Sequence, residues 1–128
     1  MERSIEIPVP FGELFDKITI LQIKVERLVD SRKVLNSRKE LSVLCERRDM
    51  AVTLTPELEA LTTKLKLVNE RIWELEDVLH ECERSLTFDS EFVTVARDTY
   101  KANDHRAAIK REISILLGSD LIEEKSHM

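Results

Sequence analysis

From Leu58 to Leu86 the chain places Leu58, Leu61, Leu65, Val68, Ile72, Leu75, Leu79, Cys82 and Leu86 at strictly alternating three- and four-residue steps, with no proline or glycine among them. That spacing holds one face of an α-helix apolar throughout its length. About thirty residues at 1.5 Å each make a rod of roughly 45 Å, longer than a compact domain of this size requires. The rod has a defined start, because Thr55 is an N-cap residue, Pro56 suits the first helical position, and Glu57 and Glu59 complement the positive end of the helix. Whatever else the chain folds into has to pack along this rod.

Three further helices are predicted around it. Phe11, Leu14, Ile18, Leu21, Val25 and Leu28 fall on one seam, so a first helix begins at Phe11 and stops near Val29, where Asp30 and Ser31 offer a cap for the next. The second, over 31–48, has a weaker pattern, with Val34, Leu41, Leu44 and Cys45 inward. After TFDS, Asp89 or Ser90 caps a fourth helix running from Glu91 to Gly118, a natural left-handed stop, with Asn103 and Asp104 as a candidate break. Ahead of all four, Ile5, Ile7 and Val9 alternate, and Pro8 and Pro10 restrict this segment to an edge strand or an extended arm. Such an arm has to lie on the helices, pair with the C-terminal LIEEK, or pair with another chain. The expected fold is all-α: an elongated antiparallel four-helix bundle or long helical hairpin with a short extended N-terminal arm. One domain is expected over 1–128, with the arm at 1–10, the bundle at 11–118 and a tail at 119–128. The third and fourth helices should protrude beyond the shorter pair, and protruding apolar seams predict a homodimer.

Composition agrees with long helices, since charged residues supply 35% of the chain, aromatics 5%, and only two glycines are present. A net charge of -5 argues against binding nucleic acid through a basic surface. The N-terminus lacks the basic-then-apolar pattern of a secretion signal and no stretch is long enough to span a bilayer, so a cytoplasmic protein without membrane contact is expected. Cys45 and Cys82 read as reduced core cysteines. With Gly12 and Gly118 alone, no Gly-rich phosphate cradle can form, and no cofactor is expected. Glu13 and Asp16, and likewise Glu74 and Asp77, have the i, i+3 spacing that helical bundles use for Mg²⁺, but the second pair falls opposite the apolar seam, on a solvated face. His80 lies three residues after Asp77 and three before Glu83, yet no second helix repeats the arrangement; no metal is expected.

The first helix carries a second stripe, Asp16, Ile20, Ile23 and Arg27, about 100° or more around the cylinder from its seam. Two stripes predict neighbours on two sides, with Asp16 and Arg27 at the edges of a buried surface and in need of partners. The fourth helix answers with a line, Phe92, Ala96, Thr99, Asn103, Arg106, Lys110, Ile113 and Leu117, apolar at both ends and polar in the middle. Two accounts fit. One is an interhelical salt-bridge network that fixes register. The other is a pocket for an anionic small molecule, a sugar phosphate or nucleotide sugar, with Arg106, Lys110 and Arg27 as donors and Asn103, Asp16 and Asp104 around them.

The stretches GELFDKITILQIKVER, VNERIWELED and YKANDHRAAIKREISILLGSDLIEEKS together resemble an uncharacterised bacterial family, a domain of unknown function found alone or beside tetratricopeptide-repeat and glycosyltransferase proteins. The resemblance covers nearly the whole chain. Its matching residues add Lys17, Lys24 and Arg111 to the candidate site. It implies a setting in surface-polysaccharide assembly, with a protein partner there, and carries over no catalytic residue.

Overall fold

The computed structural model describes residues 3–127 and consists of four α-helices: α1 (Phe11–Arg27), α2 (Ser31–Ala51), α3 (Pro56–Ser85) and α4 (Ser90–Leu116). The all-helical expectation is met, and no strand occurs among the described residues. Local signals act where the sequence places them. Asp30 accepts from the amides of Arg32 and Lys33 to open α2, Thr55 accepts from Leu58 to open α3 ahead of Pro56, and Asp89 accepts from Phe92 to open α4. Gly118 takes the left-handed conformation (φ 65°), which lets the Ser119 amide reach back to the Ser114 carbonyl at 2.8 Å and close α4.

Two details depart from the pattern. Leu86, the last residue of the α3 seam, is not inward. It caps α3 at φ 53° and is 74% exposed, because the chain turns there toward α4. Asn103 and Asp104 do not break α4, which runs unbroken through them. The Asn103 side chain donates to the Thr99 carbonyl one turn back at 3.2 Å, and Asp104 receives Lys125 at 2.8 Å, so both polar groups are satisfied within a continuous helix.

α1 is the organising element, meeting α2, α3 and α4, whereas the backbone of α2 approaches α1 alone. The bundle is therefore three helices, α1, α3 and α4, with α2 laid on the outer side of α1. The core joins Phe15 of α1 to Leu58, Leu65 and Val68 of α3 and to Ile109 and Ile113 of α4. Ile18 and Leu21 are equally buried but lie outside that cluster, on the seam left for α2. In α2 itself Ser37 alone is fully buried, and Val34, Leu41, Leu44 and Cys45 are half-buried, in keeping with its weak pattern. Cys82 is half-buried as well, and both thiols are free.

Partners along α1 show how it crosses α3. Asp16 meets Asn69, and Arg27, about 16 Å further along the helix, meets Glu70 and Glu74. With Lys66 pairing to Glu26 at 2.8 Å, those partners span about two turns of α3, so α1 lies obliquely over it and leaves the far half of the α3–α4 hairpin uncovered. The N-terminal arm is extended, with Ile5 and Ile7 exposed, and Glu6 pairs with Arg47 of α2 at 2.5 Å. Among the described residues the tail makes no hydrogen bond or ion pair with it. It runs back along α4 through Glu123 to Lys110, Glu124 to Arg111 and Lys125 to Asp104.

The closest helix contact lies at the start of α1, which has no side-chain cap of its own. Its orphan amides are satisfied from the end of α4 instead: Gly12 N–H donates to Ser114 Oγ at 2.9 Å and Phe11 N–H to Ser119 Oγ at 3.3 Å. A Cβ at position 12 would stand 2.1 Å from the backbone carbonyl oxygen of Lys110, so only glycine admits this approach. Gly12→Ala should therefore push α1 off α4 and cost about 2 kcal/mol or more, seen as a lower urea midpoint with unchanged slope.

Candidate functional site

Gly12 brings the first two turns of α1 close enough to α4 for short side chains to bridge them. Asp16, one turn along from Gly12, is 1% exposed. Its Oδ1 accepts from Arg106 Nε at 2.9 Å and from Asn69 Nδ2 at 3.0 Å, and its Oδ2 accepts from Arg106 Nη2 at 2.6 Å. The two Arg106 bonds form the planar bidentate fork that makes arginine the strongest partner for a carboxylate. Asn69 also reaches Thr19 Oγ1 at 3.0 Å, and Thr19 in turn donates to the Asp16 carbonyl at 2.8 Å. Three helices thus converge on one buried charge.

A second layer surrounds the pair. Lys110 Nζ donates to Glu13 at 2.7 Å and sits 3.9 Å from Asp16 and 3.3 Å from Glu123 of the tail. Arg106 Nη1 donates to Asn103 Oδ1 at 3.3 Å, which spaces the guanidinium from the α4 backbone. Among the described residues no buried side-chain nitrogen or oxygen lacks a hydrogen-bond partner. The network is closed.

The charge states follow from these contacts. The hydrogen bond to Asp16 raises Arg106 further above its ordinary value, outweighing burial. Burial works against the Lys110 ammonium, but the hydrogen bond to Glu13 and the fields of Asp16, Glu13 and Glu123 together raise it. Burial likewise opposes ionisation of Glu13, and the Lys110 ammonium overcomes it and holds the carboxyl below its ordinary value.

Of the residues singled out in the sequence, the structure unites Asp16, Asn103, Arg106 and Lys110. Arg27 does not join them; it is eleven residues along α1 and pairs with Glu70 and Glu74 of α3 at 3.6 and 3.5 Å. The reason is the oblique path of α1, which carries its second stripe from α4 onto α3. Lys17 faces the other way and meets Glu40 of α2 at 3.2 Å, Lys24 is half-buried in the last turn of α1, and Asp104 and Arg111 hold the tail. Three members of the network, Thr19, Asn69 and Glu123, escaped sequence reasoning as site residues, and Glu13 was weighed there only as a Mg²⁺ ligand beside Asp16. Glu13 stands three residues before Asp16 in the first motif, and Asn69 is a polar residue next to the α3 seam, which were the available signals.

Chemically, the cluster is occupied by itself. Three carboxylates, from Glu13, Asp16 and Glu123, surround two cations, from Arg106 and Lys110, so an arriving anion would meet paired donors and a negative surplus. Glu13 and Asp16 are likewise held by Lys110 and Arg106, and no group of three or more metal-ligating side chains occurs among the described residues. Two surface hollows lie elsewhere. One of about 500 Å³ runs between α3 and α4 beside Lys64, Leu67, Arg71 and Lys101. The other, of about 580 Å³, is bounded by Gln22, Arg48, Thr62 and Lys66.

Residues 5–127 match a family described as a family of unknown function (DUF6165). The chain belongs to that family. The match takes in the arm from Ile5, every helix and the tail, so the Asp16 network and the hairpin both fall inside the DUF6165 region. No match was found among curated proteins or among solved structures. Among the described residues no helix is long and apolar enough to cross a membrane.

The network predicts the pH range of stability. Because the Glu13 carboxyl is lower in the folded state than in the unfolded chain, its contribution is complete above the ordinary carboxylate value of 4.5 and fades as pH falls below it. The raised Lys110 acts at the other end, contributing fully below its ordinary 10.5 and fading as pH rises beyond it. Urea unfolding from pH 3 to pH 7 should show stability rising with pH, and Glu13→Gln should flatten that rise.

Proposed function

We propose that this chain is a helical interaction and assembly module that self-associates through the free half of its α3–α4 hairpin. One observation carries the reading. Beyond the cover of α1, the hairpin leaves Val78, Leu86, Phe88 and Val93 between 38% and 74% exposed, a concentration of large apolar groups on a rod that its own bundle does not reach. Apolar groups gathered in this way on an elongated helical pair are the usual mark of a protein-binding surface. The Phe88 and Phe92 rings, edge to face at 5.2 Å, stiffen the tip and keep its shape defined.

The polar cluster supports the same reading by default, since its donors and acceptors are spent on one another and serve to fix helix register. A small-molecule role for it, as a sugar-phosphate or nucleotide-sugar site, gains no support from a site whose carboxylates outnumber its cations. The proposed setting is the bacterial cytoplasm, where the module serves or recruits an enzyme of surface-polysaccharide assembly; that part rests on the sequence resemblance alone.

Light scattering tests the reading. At about 100 µM, well above the Kd of a moderately tight dimer, the expected mass is twice the 14.9 kDa of one chain. A mass of 14.9 kDa at that concentration would remove self-association.

A further inference from the structure

Charge is distributed unevenly along the hairpin. From Glu76 to Glu91 the tip holds six carboxylates against one arginine, Arg84. Further back, the 500 Å³ hollow between α3 and α4 is edged by Lys64, Arg71 and Lys101, with Asp98 as its single carboxylate. The same face also exposes Leu67 (61%) and Val78 (38%). Lys64, Leu67, Arg71, Glu74, Val78 and Glu81 all fall within about 100° of arc on α3, so one partner surface can meet them together. A face that is basic at one end and acidic at the other is complementary to itself when reversed.

We infer that a second copy of this chain docks antiparallel on the α3–α4 face, seating each copy's acidic tip on the other's basic hollow. This rests on the self-association proposed above, assigns its register, and extends its face from the free half of the hairpin back to the hollow beside Lys64. A two-fold axis lying in the interface, perpendicular to the helices, lays α3 against α3 and α4 against α4. Placing that axis midway between Ile72 and Trp73 sets Lys64 opposite the partner's Glu81, Arg71 opposite the partner's Glu74, and Leu67 opposite the partner's Val78. On α4, an axis at Ala96 sets Lys101 opposite the partner's Glu91. These two positions were chosen from different helices, and they can be compared because Arg71 stands beside Asp98 at 3.8 Å, which relates the levels of α3 and α4 to within about one helical turn. By that correspondence the α3 axis falls near residue 97 of α4, within about one turn, roughly 5.4 Å, of the position α4 gives.

One register therefore satisfies three charge pairs and one apolar pair, each formed twice by symmetry. Glu74 also receives Arg27 of its own copy at 3.5 Å, so Arg71 of the partner subunit completes a carboxylate already oriented. The face measures about 30 Å by two helix widths, about 20 Å, on the scale of the roughly 800 Å² per partner that specific dimers bury. Opposed charges at its rim set orientation and discourage the parallel alternative, which would stack tip on tip.

Two charge-reversed chains test this. In K64E/K101E the hollow becomes acidic; in E81K/E91K the tip becomes basic. Each alone should remain helical and unfold cooperatively but dimerise at least about 100-fold more weakly, and an equimolar mixture of the two should restore a dimer containing one of each, resolved by native mass spectrometry. Wild type should also weaken at least tenfold between about 0.05 and 0.5 M NaCl, a measurement that stands if a reversed chain fails to fold. A wild-type dimer that ignores both salt and reversal overturns this register while leaving self-association intact, and a monomeric wild type overturns both.

Discussion

A carboxylate sealed inside a helical bundle admits few arrangements, and Asp16 is such a group. Left without partners it would cost several kcal/mol or would have to take up a proton. Its partners are distant in sequence, Asn69 of α3 and Arg106 of α4, so the charge is satisfied only when α1, α3 and α4 meet in one register. Apolar seams alone would let α1 slide by a turn along α4 at modest cost. The Arg106 fork removes that freedom, because a one-turn slip moves the guanidinium about 5.4 Å from its acceptor. Gly12 makes the fork possible by letting the helix backbones close, and Ser114 repays the approach by taking an orphan amide.

That arrangement explains why the polar inserts of α1 and α4 look like a binding site in the sequence. Charged residues of both signs at helical spacing on otherwise apolar stripes have to face something; in this fold they face each other. The second layer of Glu13, Lys110 and Glu123 extends the same logic outward and draws the tail onto α4. With α1 locked across the near half of the hairpin, the far half is left as a rod whose large apolar groups are exposed and whose carboxylates outnumber its one arginine, Arg84, which pairs with Glu81. The buried polar network is concentrated at one end of the molecule, and the exposed apolar groups of the hairpin tip lie at the other.

Much of this was legible in advance. The three-four seam gave α3 almost to the residue, and Thr55, Pro56, Asp89 and Gly118 marked helix ends through capping chemistry that acts over four or five residues. Asp16, Asn103, Arg106 and Lys110 were also recognisable as one group, from polar breaks in apolar stripes. What could not be read is what depends on helix crossing. Arg27 lies on the same stripe as Asp16, and only the oblique path of α1 over α3 sends it to Glu70 and Glu74. Asn69 was hidden for the same reason, since an isolated polar residue beside a seam gives no sign of which distant charge it will meet. The isolation of α2 on α1 likewise follows from packing, although its sparse pattern of apolar residues foreshadowed it.

The account stands on Asp16 and Arg106 acting as a single structural unit, and a double-mutant cycle measures that directly. Urea unfolding of Asp16→Ala, Arg106→Ala and the double variant should show the two losses to be strongly non-additive, with a coupling of about 2 kcal/mol or more, because either change alone strands a charge that the double change removes. Losses that add to within about 0.5 kcal/mol would mean the two groups do not depend on each other, and the lock at the centre of this fold would be contradicted.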